Sequence, residues 1–321
     1  MSVTFVVMLF AVWSSVFSVG KIAMQYCPPL FLTGSRMVLA GLILYLFMAA
    51  FKRSAFKLNR LQLISLVVLA FFSIYLTNAL EFWGLQYLSA AKTCFIYSLS
   101  PFFSALFSYL HFKEKMNRNK WIGMAIGFVG FIPVLMHQTG SEELFNAFSF
   151  LSWPTLAIMG AVLSSVYGWV LLRFIVKDQA ISPLMANGTS MLIGGLLAFG
   201  HSSLVENWAP TPIAAHHVTP FLQWTLLITL VYNLLCYNVY GVLLKRFTAT
   251  FLSFIGLLSP IFASISGWLF LGEPLSWTIL LSTGIVSIGL LIFYRAELKQ
   301  GYIVNSKPSP LQLEPNTNSK Q

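Results

Sequence analysis

The chain has 321 residues, of which 57% are hydrophobic and only 9% charged, and its mean hydropathy is +0.78. Ordinary globular chains carry about 25% charged residues, so this chain has too little polar surface to face water on all sides, and a soluble domain is excluded. The formal net charge of +10 does not point to nucleic acid, because the cations form no basic face or interleaved basic and aromatic groove.

In chain order, the apolar runs predict ten helices, at 3–24, 30–51, 61–86, 90–112, 121–137, 151–176, 183–204, 221–244, 249–271 and 277–294. Each is near the span of about 20 residues that a bilayer core requires, which predicts an all-α membrane protein. The first run has no basic segment before it and reaches spanning length, so it reads as a retained helix rather than a cleavable signal. Sixteen of the 19 Lys and Arg residues lie in the even-numbered gaps and the tail, notably KRSAFKLNR at 52–60 and KEKMNRNK at 113–120. Positive charge collects on the cytoplasmic side, so both termini are expected there, in a bacterial inner membrane. The polar, Pro-containing stretch 296–321 is expected to be disordered. Cys27, Cys94 and Cys236 are an odd count and far apart, and predict neither a disulfide framework nor a metal site.

The chain repeats itself. A shift of 159 positions lays Leu99-Ser100-Pro101 on Leu258-Ser259-Pro260, Glu114 on Glu273 and Gly130 on Gly289. Ala11 to Val16 fall on Ala161 to Val166 at a slightly smaller offset. Residues 1–137 and 151–295 therefore read as two related five-helix units joined by an outer loop at 138–150. Five is odd, so the second unit enters the membrane from the opposite side. Such inverted-topology repeats underlie alternating access in many secondary transporters.

The stretch FAVWSSVFSVGKIAMQYCPPLFLTGSRMVLAGLIL at 10–44 carries Trp13, Lys21, Pro29 and Arg36 at spacings that resemble the first two helices of EamA-type members of the drug/metabolite transporter superfamily. LSPFFSALFSYLHFKEKM and LSPIFASISGWLFLGEPLS similarly resemble that family's Pro-to-Glu pattern at helices four and nine. The resemblance covers about residues 3–295, with one departure: Ser15 stands where a Gly often follows the first Trp. It implies a carrier in which helices one to four and six to nine surround a central site, with helices five and ten peripheral.

Read from the residues alone, the charges inside spans mark a cavity. An ionised group at the bilayer centre costs about 2.5–3.5 kcal/mol on insertion scales, so it normally faces water, a partner or a ligand. Lys21, Arg36, Glu81 and Lys92 all fall in the outer half of the first unit, while their counterparts Leu171, Ser190, Tyr240 and Phe251 are uncharged. One half is thus expected to hold the ionic part of a solute and the other to shape the rest. Lys21 and Lys92 are also long enough to snorkel to the outer interface, and Glu81 has Arg36 or Lys92 as packing partners. Arg36 is the deepest and cannot lose its proton.

Polar and aromatic rows extend the candidate site. Trp13 and Phe17 share a face with Lys21, Asn78 precedes Glu81 by one turn, and Tyr97 follows Lys92. Tyr167, Trp169, Asn187, Asn233 and Tyr237 supply the facing rows. For each, packing between membrane helices is the competing reading. Pro101 and Pro260 are expected to kink their helices as a matched hinge pair. Gly123, Gly127 and Gly130 permit close helix approach, inside the bundle or in a homodimer.

Cations beside one carboxylate and aromatic faces suit an amphoteric solute, such as an amino-acid or adenosyl-amino-acid zwitterion. An organic anion or nucleotide is the second reading. No HExxH, Walker A motif or paired Ser and His appears, and His216-His217 falls in an outer loop, so an intramembrane enzyme or ATP-driven pump is disfavoured. A channel differs by conducting without saturable exchange. No cofactor or metal is expected.

Overall fold

A computed structural model describes residues 3–51, 58–112, 116–137, 141–148, 151–177, 179, 181–208, 211–243 and 255–299. Among these residues the protein is helical apart from one short ladder, Asn146–Phe148 (β1) against Leu151–Ser152 (β2), in the expected outer loop. The helices are α1 (Val3–Ser14), α2 (Val16–Ala23), α3 (Pro29–Phe51), α4 (Arg60–Leu69), α5 (Thr77–Leu85), α6 (Ala90–Tyr97), α7 (Ser100–Phe112) and α8 (Arg118–Met136). They continue as α9 (Trp153–Lys177), α10 (Pro183–Val205), α11 (Val218–Leu227), α12 (Tyr237–Leu243), α13 (Ser259–Leu271) and α14 (Trp277–Lys299). A π-helical segment, Ala70–Leu76, joins α4 to α5, and another, Ile228–Cys236, joins α11 to α12.

Eight stretches are long and apolar enough to cross a membrane among the described residues, against the ten expected. The difference lies at two places. Residues 90–112 are two helices rather than one, because the chain turns at Ser98 and Leu99: the Ser98 amide reaches Phe95 O and the Leu99 amide reaches Ile96 O, a three-residue closure that ends α6. The ninth expected helix begins outside the described residues, and its visible part, α13, has 13 residues. The last helix also runs through Lys299, past the expected end at Tyr294, while 300–321 lie outside the described residues. The basic residues Lys52, Arg53, Lys57, Lys113, Lys115, Lys245 and Arg246 and the acid Glu114 lie outside them as well.

Pro101 and Pro260 are not mid-helix kinks. Each occupies the second residue of its helix, immediately after a turn. There the missing amide hydrogen is one that no helix would satisfy. The turns match bond for bond: Leu99 N to Ile96 O and Phe102 N to Leu99 O in one, Leu258 N to Ile255 O and Ile261 N to Leu258 O in the other.

Unlike a water-soluble bundle, this one carries apolar side chains on its outside as well as in its core, and buries several polar ones. Leu46, Leu61, Leu204, Leu269 and Leu281 lie on the outside, whereas Arg36, Asn78, Thr93, Ser190 and Asn233 are buried. Apolar residues outside and polar ones inside identify lipid as the surrounding medium, and the helical backbone satisfies its own hydrogen bonds there. This is an integral membrane protein.

Packing pairs elements from the two halves of the chain. α3 lies along α10, α8 along α14, α5 against α9 and α6 against α13, while α2 meets α11 and the second π segment. α8 and α14 approach each other closely at paired glycines. A Cβ added at Gly123 would lie 2.5 Å from the Gly289 carbonyl oxygen, so only glycine fits. Gly127 abuts the Phe102 ring and Gly130 abuts Ile285. All three glycines thus use their missing side chains within the chain.

Candidate functional site

Arg36 lies in the second turn of α3 and is only 4% exposed. Its Nη1 donates to Asn233 Oδ1 at 3.3 Å, its Nη2 donates to Asn78 Oδ1, and its guanidinium carbon stands 4.5 Å from the centre of the Phe82 ring. Nε has no hydrogen-bond partner although it is buried. A guanidinium has five N–H donors, and here a neutral amide on each side takes two of them, an aromatic ring lies against the plane, and Nε is left unmet.

Both amides are aimed by the π segments. A π turn shifts the carbonyl register by one residue and leaves oxygens for side chains to collect. After Ala70–Leu76, Phe72 O accepts from Thr77 Oγ1 at 2.8 Å and from Ser164 Oγ at 2.8 Å, while Asn78 Nδ2 donates to Ile74 O at 2.6 Å. That last bond fixes the Asn78 amide with its oxygen towards Arg36. The second π segment contains Asn233 itself. Around it Thr229 Oγ1 donates to Arg36 O at 3.4 Å and Tyr232 OH pairs with Ser15 Oγ at 2.8 Å. Ser15, the residue at odds with the family pattern, therefore ties the α1–α2 junction to this segment.

Glu81 is one turn after Asn78 on α5 and within electrostatic reach of Arg36. Tyr97 OH donates to its Oε2. No described bond reaches Oε1, and Glu81 keeps part of its surface accessible although protein surrounds it. The Tyr97 ring packs 5.6 Å from Phe17. Trp13, one turn earlier on the same face, lies 5.3 Å from Tyr237 and 5.4 Å from Tyr240, and Trp169 stacks on Tyr237 at 5.8 Å with 19° between planes. Tyr237 is in turn within electrostatic reach of both Arg36 and Glu81. Nine of the expected residues thus form one connected group: Arg36, Asn78, Asn233, Glu81, Tyr97 and the rings of Phe17, Trp13, Tyr237 and Trp169.

The other expected residues stand elsewhere. Lys21 Nζ bonds Glu273 Oε1 at 2.8 Å and Leu88 O at 2.8 Å. Lys92 is 1% exposed and its Nζ donates to His137 O at 3.1 Å. Tyr167 packs against Phe72 at 5.0 Å and Phe107 at 6.0 Å, beside the first π segment. Asn187 is half-buried on α10, and no described bond or ring contact joins it to Arg36 or Glu81. No group of three His, Cys, Asp or Glu side chains suited to a metal occurs among the described residues.

Two acids cap helices across the bundle. Glu206 accepts from the amides of Leu30 at 2.7 Å and Phe31 at 3.0 Å, and Glu273 accepts from the Ala90 amide at 2.9 Å. Carboxylates at these amino ends also meet the positive end of the helix dipole. Sequence reasoning assigned neither acid a partner, because the contacts bridge residues 175 to 183 positions apart.

A helical bundle buried in lipid, with one guanidinium and one carboxylate held inside it among aromatic rings, defines a membrane protein with an internal polar site. The chain belongs to the EamA-like transporter family, which it matches over residues 1–136 and again over 152–295. It is similar to the S-adenosylmethionine/S-adenosylhomocysteine transporter of Chlamydia muridarum, at 40% identity over 92% of each chain. A protein of the same name from Chlamydia trachomatis serovar L2 is 39% identical over 92% of this chain and 90% of the relative. The fold resembles that of a crystal structure with a TM-score of 0.62, 14% identity, and coverage of 92% of this chain and 98% of that one.

Proposed function

We propose that this protein is a ten-helix secondary transporter of two inverted five-helix units that exchanges S-adenosylmethionine for S-adenosylhomocysteine across a bacterial inner membrane, with both termini cytoplasmic. Three features support the inverted units: each half matches the same family, the π segments begin at Ala70 and Ile228 in corresponding helices, and the Pro101 and Pro260 turns share their bonding. The relatives' names support the substrate. The observation that carries the solute class is Arg36, a buried guanidinium with Nε unmet, within reach of Glu81.

In this reading the solute's carboxylate completes the Arg36 donor set and its α-ammonium meets the open oxygen of Glu81. Charge-assisted hydrogen bonds of this kind are the strong ones. An amino-acid end satisfies both groups, while a purely anionic solute leaves Glu81 repelling it. Asn78 and Asn233 hold the guanidinium in place, and Tyr97 holds the carboxylate. Lys21 and Glu273 close the outer end, and the two units rock about the site to open each side in turn. The paired turns before Pro101 and Pro260 are the flexing points.

Counterflow in proteoliposomes tests this. Labelled S-adenosylmethionine should enter saturably when S-adenosylhomocysteine is loaded inside, and Arg36→Ala should abolish the signal while inserting normally. Absence of trans-stimulation by either compound in the parent protein, or normal kinetics in Arg36→Ala, overturns the reading.

A further inference from the structure

The two proposed exchange partners share their carboxylate, α-ammonium and adenosine, and differ by one methyl group and one positive charge on sulfur. The ionic pair Arg36 and Glu81 meets the shared amino-acid end, so discrimination requires a surface that senses charge at the sulfur. The sulfur lies three carbons from the α-nitrogen, within a few ångströms of wherever the ammonium is held.

The structure provides such a surface. Tyr237 stands one turn beyond Asn233, which binds Arg36, and within electrostatic reach of Glu81. Trp13 lies 5.3 Å from it at 55°, so the rings form a tilted pair rather than a closed stack. Both rings are partly accessible, and each packs against further rings: Trp13 against Phe10 at 6.4 Å and Tyr240 at 5.4 Å, Tyr237 against Trp169 at 5.8 Å. Ring faces carry negative charge density and attract ammonium-like and sulfonium cations, most strongly for Trp and where water is excluded. Hydrogen-bonding groups cannot serve instead, because a trialkyl sulfonium has no N–H or O–H to donate.

We infer that Trp13 and Tyr237 form a sulfonium subsite that sets the preference for S-adenosylmethionine over S-adenosylhomocysteine. This rests on the proposed exchange. The neutral thioether keeps only dispersion contacts with these rings, while the sulfonium gains the electrostatic attraction as well. Glu81 adds long-range attraction to the same cation, and Tyr97 keeps that carboxylate oriented.

The test measures half-saturation constants for both compounds in counterflow, for the parent and for Trp13→Phe, Trp13→Leu and Tyr237→Leu. In both Leu variants the ratio of the S-adenosylmethionine constant to the S-adenosylhomocysteine constant is expected to rise about tenfold, with Trp13→Phe intermediate. Size-exclusion monodispersity confirms folding of each variant. If a Leu variant does not fold, Trp13→Phe and competition on the parent by an analogue bearing a protonated amine in place of the methylsulfonium carry the test. That analogue should compete as well as S-adenosylmethionine. An unchanged ratio in the folded variants, or competition no better than that of S-adenosylhomocysteine, overturns the subsite. Failure of the parent to exchange either compound instead overturns the proposed function, so the two failures are distinguishable.

Discussion

Lys21 Nζ lies 2.8 Å from Glu273 Oε1, and the same carboxylate accepts the Ala90 amide. One acid from the second half of the chain therefore fastens α2 to the first turn of α6. Both side chains of the pair are largely shielded, so the contact is worth more than a surface ion pair. Just below it Ser18 Oγ pairs with Ser266 Oγ at 2.9 Å, which closes the same seam.

Removing this fastening should bias the protein towards an outward-open state. A charge-assisted hydrogen bond contributes about 2 kcal/mol, or about thirtyfold in the opening equilibrium. In a cysteine-free background, Ser18→Cys should react slowly with an impermeant maleimide from outside, and roughly thirtyfold faster once Lys21→Met or Glu273→Gln is added. Equal rates would show that the pair does not hold the outer seam.

Exchange of the proposed pair should respond to voltage. S-adenosylmethionine carries one more positive charge than S-adenosylhomocysteine, and Arg36 and Glu81 are fixed to the bundle. An inside-negative potassium diffusion potential should accelerate uptake of the former against the latter. Homo-exchange of S-adenosylhomocysteine should not change. Voltage-independent hetero-exchange would require a compensating ion.

Gly123→Leu and Gly289→Leu should destabilise the bundle without touching the site. A Cβ at either position meets the partner helix's backbone at 2.5–2.6 Å, which forces α8 and α14 apart at about 1–3 kcal/mol or more. Detergent melting should fall by several degrees, while surviving protein keeps its half-saturation constant.

Cys27, between α2 and α3, is buried, and burial with Glu206 nearby pushes its thiol from 9.0 to about 12. At neutral pH the thiolate fraction is about a thousandfold below that of an exposed thiol. With Cys94 and Cys236 replaced by Ala, maleimide labelling should be slow in the native protein and fast after denaturation. The native state binds this proton more firmly than the unfolded state, so the contribution to stability is present below about pH 9 and lost as pH rises towards 12. Cys27→Ala should therefore lose less melting temperature on alkalinisation than the parent.

Much of the architecture was legible in the chain. The apolar runs marked all eight of the long helices found, and the helical spacing of Trp13 with Phe17 and of Asn78 with Glu81 placed those side chains on shared faces. The π segments carried no such signal, because their composition is that of the surrounding helix and only the neighbouring packing selects the wider turn. The turn before Pro101 was partly visible: the proline announced a break, but whether it falls inside a helix or at a start depends on which carbonyls the preceding amides find.

Intramembrane charge is a local property, and burial of an ionised side chain in lipid is costly enough to read from sequence. That is why Arg36, Glu81, Lys21 and Lys92 were all identifiable as residues needing a partner. Which partner each finds is not local. Glu273 and Lys21 are 252 positions apart, and Arg36 and Asn233 197; folding set Lys21 against Glu273, Lys92 against a backbone carbonyl, and left Arg36 with Glu81 inside. The sequence by itself determined that these charges lie in the membrane, since hydropathy is additive along the chain. Only the tertiary structure decided which of them share a site, since that depends on how helices from both halves cross.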